Sequence, residues 1–111
     1  MNVTAEYFEA PVEVTTPFSP QDLVAACFER GVWNVLFDEG SLSPEFFDLS
    51  SGLAGEIVQK LVNYGIRAGI VIPDVATHSD SFRSFVRESN RTGQARFFTD
   101  RADAISWLIG T

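Results

Sequence analysis

Asp38 and Glu39 close one apolar run of this chain, Asp74 follows another, and His78 and Asp80 come within a few residues of it. Carboxylates and an imidazole can share a divalent cation, and open α/β sheets place ligands just beyond the carboxyl ends of their strands. His78 is the single histidine, however, and has no HxH or HxxxH partner. Asp38, Asp74 and His78 are therefore a weak alternative metal set, to be weighed against loop-end solvation and helix capping. Cys27 is the single cysteine. It falls on the apolar arc of a helix, which suits a small core hydrophobe better than a nucleophile. Ser50 and Ser51 stand before Gly52 at the head of an amphipathic stretch, where a serine hydroxyl ordinarily caps free N–H groups. There is no glycine-rich phosphate loop, GxSxG elbow or cysteine–histidine pairing. No catalytic residue and no cofactor are expected.

The composition narrows the partners. With 111 residues, 45% of them hydrophobic and 21% charged, the chain fits one globular domain spanning residues 1–111. Eight Lys and Arg against fifteen Asp and Glu give a net charge of −7, a field that repels nucleic acid and anionic membrane surfaces. No apolar run approaches the roughly 20 residues that span a bilayer, and the opening MNVTAEYFEAPVEV lacks a basic and then apolar leader. A cytoplasmic protein is expected, and the lone cysteine fits a reducing compartment.

The elements that must position these residues alternate. Val3–Phe8 and Val12–Thr15 read as a strand hairpin around Glu9-Ala10-Pro11. Ser19-Pro20 starts a helix running to Arg30, with Leu23, Val24, Cys27 and Phe28 on its inner arc. Val32–Phe37 is a nearly continuous apolar strand, as expected with helices on both faces. Ser43-Pro44 opens a single helical turn carrying Phe46 and Phe47, and a helix from about Gly52 to Tyr64 follows, closed by Gly65. Leu53, Ile57 and Leu61 recur every fourth residue along it. Gly52 and Gly55 cost this helix about 0.5–1 kcal/mol each relative to alanine, which predicts that something approaches its first turn closely. Arg67–Ile72 is the next strand, followed by a helix capped by Thr77 or Ser79 and ending at Thr92-Gly93, with Phe82, Phe85 and Val86 inward. Ala95–Thr99 and a helix from Asp100 to Ile109, with Ala102, Ile105 and Ile109 inward, complete the chain. Trp107 lies roughly 200° around that helix from Ile105, on the expected solvent side. There it is either an anchor for a second copy of the chain or an aromatic folded back on its own helix. Arg83, Arg87, Arg91, Arg96 and Arg101 gather positive charge in the last third, as an anion-facing patch or as solvated helix faces.

Such alternation calls for a mostly parallel sheet with right-handed crossovers, an antiparallel N-terminal strand and about four helices. The order of elements and the run DLSSGLAGEIVQKLVNYGIRAGIVI resemble the STAS domain of bacterial anti-sigma factor antagonists, in which a buried strand, a DSSGLG loop, a helix and a further strand follow one another. Ser50, Ser51, Gly52 and Leu53 match SSGL, Ala54 replaces the second glycine, and Leu49 separates Asp48 from the serines. The chain also resembles a bacterial family catalogued as domain of unknown function 4180. The shared residues are Leu42-Ser43-Pro44, Phe46 to Leu49, Gly52 to Glu56, Gln59-Lys60, Asn63-Tyr64, Phe85 and Glu88-Ser89-Asn90.

The first resemblance implies a STAS-like α/β sandwich acting through protein–protein contact, with Ser51, or its neighbour Ser50, at the position of a phosphorylated switch. A phosphate there would add about −1.5 to −2 charge at a helix N-terminus. Asp38, Glu39, Glu45, Asp48 and Glu56 would oppose it if they lie close. The expected contact surface is Gly40 to Ser51 with the first turns of the following helix: Phe46, Phe47, Asp48, Gly52, Leu53 and Glu56. The expected partner is an unidentified protein.

Overall fold

Three strands carry the core on both of their faces, and side-chain alternation divides that core into two layers. The computed structural model describes residues 7–10, 20–42 and 44–110. Strands β1 (Phe8–Glu9), β2 (Asn34–Asp38), β3 (Arg67–Val71) and β4 (Ala95–Phe98) form one sheet in that order. Every pairing is parallel, with Val35 opposite Ala68, Phe37 opposite Ile70, and Ile70 opposite Phe97. Helices α1 (Pro20–Arg30), α2 (Pro44–Phe47), α3 (Leu53–Tyr64), α4 (Asp80–Thr92) and α5 (Arg101–Ile109) connect and follow the strands. Short 3-10 turns at Glu39–Ser41, Leu49–Ser51 and Val75–Thr77 shape the loops beyond the strand ends. No helix among the described residues is long and apolar enough to cross a membrane.

Strands that step in one direction with right-handed crossovers put their crossover helices on one face. That face buries Val35, Phe37, Ala68, Ile70, Ala95 and Phe97 against Leu23 and Cys27 of α1, Ala54, Ile57 and Leu61 of α3, and Phe82 and Val86 of α4. The alternate residues Leu36 and Val71 face Ala104 and Leu108 of α5. Gly69 lies between them. A Cβ there would stand 3.3 Å from Leu108 Cδ1 and 3.5 Å from the Ala104 Cβ, so glycine is what lets α5 sit this close to β3.

The expected strand, helix and cap order is present from α1 onward. Ser79 Oγ accepts the Phe82 N–H at the start of α4, and Gly65 and Gly93 close α3 and α4 in the left-handed conformation. Three expectations are corrected. The N-terminal strand pairs parallel with β2, not antiparallel, because its described part joins β2 directly at Phe8 and Val35; residues 3–6 and 12–15 of the expected hairpin lie outside the described residues. Phe28 is 63% exposed and lies edge-on against Trp33 and Tyr64, since Leu23 and Cys27 already fill the α1 contact with the sheet. In α5 the inward residues are Ala104 and Leu108. Ala102 is exposed and Ile105 and Ile109 are half-buried, an offset that a short helix with weak apolar periodicity leaves open.

Candidate interaction site at the start of helix α3

Asp48 follows α2 and accepts two hydrogen bonds from Ser50, from its backbone N–H at 3.1 Å and from its hydroxyl at 2.6 Å. That interaction winds residues 49–51 into a 3-10 turn. Gly52 then takes φ 79°, a left-handed value that strains any residue with a Cβ, and α3 begins at Leu53. Ser51 bridges the two helices. Its hydroxyl donates to the Glu45 carbonyl at 2.6 Å and accepts the Leu53 N–H at 3.2 Å. Ser51 is thus both exposed and satisfied, and it takes up the first free N–H of α3 although the N-cap itself is Gly52.

Glu45, Ser51, Leu53 and Glu56 line a shallow cleft of about 260 Å³ beside this turn. Among the described residues its lining includes two acidic residues, Glu45 and Glu56, and no basic one. Gly55 lies in the first turn of α3, exposed to solvent, and an added Cβ would meet nothing within 4 Å among the described residues. No described residue makes the close approach expected at Gly52 or Gly55: backbone conformation explains Gly52, and no packing among the described residues explains Gly55.

The aromatic approach to the site is turned inward. Phe46 is 1% exposed and packs on Phe82 and Phe97, so it takes no part in a surface; one helical turn suffices to swing it onto the core. Phe47 is half-buried, stacked on the His78 imidazole and tilted against Phe82. Asp48, Ser50, Ser51, Gly52, Leu53 and Glu56 remain together at the surface.

The acidic strand ends separate into ion pairs. Asp38 meets Arg101 Nη1 at 2.9 Å, and Glu9 meets Arg101 Nη2 at 2.7 Å, so the first residue of α5 ties the ends of β1 and β2 together. Hydrogen bonding to Glu9, reinforced by Asp38, holds the Arg101 guanidinium above its ordinary high range. His78 Nε2 pairs with Glu39 Oε2 at 3.1 Å. Asp74 contributes its backbone carbonyl to the Thr77 hydroxyl. Asp38, Asp74 and His78 are not assembled as a ligand set, and no three His, Cys, Asp or Glu residues among those described converge on a metal position. Cys27 is fully buried, and burial pushes its thiol above the ordinary cysteine range.

Trp107 is half-buried, with the Arg67 guanidinium 4.1 Å from its ring centroid and Arg96 at 5.4 Å. Arg83 pairs with Asp80, Arg91 with Glu88, and Arg87 with Ser84, each within α4. Solvated helix faces therefore account for those three arginines.

One role was not read from the residues. Asn90 Oδ1 accepts the Phe97 N–H at 2.7 Å, and its amide reaches the Phe97 carbonyl at 3.5 Å. A side chain of α4 thus occupies backbone groups on the outer edge of β4. Its place in the Glu88-Ser89-Asn90 run was the available signal, but that run carries no indication of what the amide bonds to.

Residues 3–108 match the family described as Domain of unknown function (DUF4180), and the chain belongs to that family. Neither the curated proteins nor the solved structures contain a match.

Proposed function

We propose that this member of the DUF4180 family is a non-enzymatic regulatory domain that works by protein–protein contact through the Leu49–Ser51 turn and the first turn of α3. The observation that carries the reading is Gly55, an exposed helix glycine beside the cleft whose cost to the helix no contact among the described residues explains. A partner backbone or side chain lying flat on that turn supplies the reason. Leu53 offers it an apolar contact, while Glu45 and Glu56 favour a partner with a basic or hydrogen-bond-donating rim.

The likeness of Ser50–Leu53 to the switch loop of anti-sigma factor antagonists supports a STAS-like mode of action with Ser51 as the modified residue. A phosphate on Ser51 removes the donor to the Glu45 carbonyl and sets its charge against two carboxylates. Modification therefore loosens the join of α2 and α3 and ends the contact.

The test is affinity capture with tagged wild type, Gly55→Arg, Ser51→Asp and Ser51→Ala, with Asn63→Ala, at the other end of α3, as control. A partner should be retained by wild type and control and lost with Gly55→Arg and Ser51→Asp. An identical set of captured proteins across all five overturns the reading.

A further inference from the structure

We propose that Arg67 and Arg96 form a binding site for a small oxyanion, a phosphate or a carboxylate, beside Trp107 at the C-terminal turn of α5. Arg67 alternates with Ala68 along β3, and Arg96 with Ala95 and Phe97 along β4. Because those neighbours face the α1, α3 and α4 layer, both arginines project from the opposite face of the sheet, toward α5. Both guanidiniums lie within 5.4 Å of one indole centroid. Among the described residues neither is paired with a carboxylate, unlike Arg83, Arg91 and Arg101.

The structure offers these two charges only partial compensation. Arg67 Nη2 donates to the Trp107 carbonyl at 3.0 Å, and a helix C-terminus carries about −0.5 charge. The indole face adds a quadrupole contact to each cation. Among the described residues, two full positive charges meet half a negative one. Arg96 Nε is moreover buried without a hydrogen-bond partner, the one such side-chain atom among the described residues. A buried unpaired guanidinium nitrogen is costly unless an acceptor reaches it. A planar or tetrahedral oxyanion matches the guanidinium fork and neutralises the pair. Against a net charge of −7 for the chain, this pair of positive charges is a local exception.

The test uses the whole chain, with inorganic phosphate and sodium acetate as probes at ionic strength held constant with sodium chloride. The Trp107 indole N–H resonance and the Arg Nε–H resonances are followed by NMR. A saturable shift of Trp107 and of Arg96 Nε–H with either probe, weakened about tenfold or more by Arg96→Gln, supports the site. Saturation with phosphate alone identifies a phosphate site, and saturation with acetate as well identifies a general oxyanion site. A linear response in wild type overturns the proposal, as does saturation unchanged in Arg96→Gln. Should Arg96→Gln fail to fold, Arg67→Gln replaces it, and the wild-type titration alone still decides against the site when it does not saturate.

Discussion

The His78 imidazole lies flat on the Phe47 ring, centroids 4.4 Å apart and planes 7° from parallel, while its Nε2 faces Glu39. One side chain thereby ties the loop after β3 to the loop after β2 and holds α2 in place beneath the candidate contact surface. A double-mutant cycle of His78→Ala and Phe47→Ala, read by urea unfolding, should give a coupling of about 0.5–1.5 kcal/mol. Additive losses would show that the stack contributes nothing of its own.

Asn90 stands where a fifth strand would add to β4. An exposed strand edge is a template for association. Asn90→Ala should cost about 1–3 kcal/mol, because it strands the Phe97 N–H. It should also raise the tendency to self-associate in concentration-dependent sedimentation, whereas Asn63→Ala on the exposed side of α3 should do neither.

Two glycines should respond to alanine with opposite sign. Gly55→Ala has open space and a helical backbone, so thermal unfolding should show a gain of about 0.5–1 kcal/mol. Gly69→Ala presses a methyl to 3.3 Å from Leu108 and should cost about 1–3 kcal/mol.

The Cys27 thiol is held protonated by burial. An acid whose folded value is raised keeps its full stability below the unfolded value and loses it as pH rises beyond that point toward the folded value. Stability should therefore decline above about pH 9, and Cys27→Ala should flatten that slope while lowering stability at neutral pH. Thiol reagents should label wild type only as fast as it opens, with labelling accelerated by urea.

Most helices and strands from Pro20 onward were legible from caps and apolar pattern: Ser79 before α4, Gly65 after α3, near-continuous apolar runs at β2 and β3. Where period was weak, as in α5, the face was misread, and Phe28 looked like core because an arc of four residues is wider than the sheet contact can cover. The serine turn was legible from Ser50, Ser51 and Gly52. Local spacing could not indicate how distant acids are shared out. Arg101 reaching Glu9 and Asp38, and Glu39 reaching His78, depend on strand order. Asn90 has the same difficulty, since an amide that serves as an edge partner looks like any other polar helix residue.

The sheet grows in the order of the chain, each strand docking beside the one made just before it. During synthesis, at about 5–20 residues per second, the layer of α1, α3 and α4 can close over its side of the sheet as it emerges. Leu36 and Val71 must wait for Ala104 and Leu108. Until α5 has left the ribosome, Leu36 and Val71 lack the α5 side chains that they are buried against in the folded chain. A nascent chain stalled before Arg101 would leave those two apolar side chains without their α5 cover, and docking of that helix is the step that buries them.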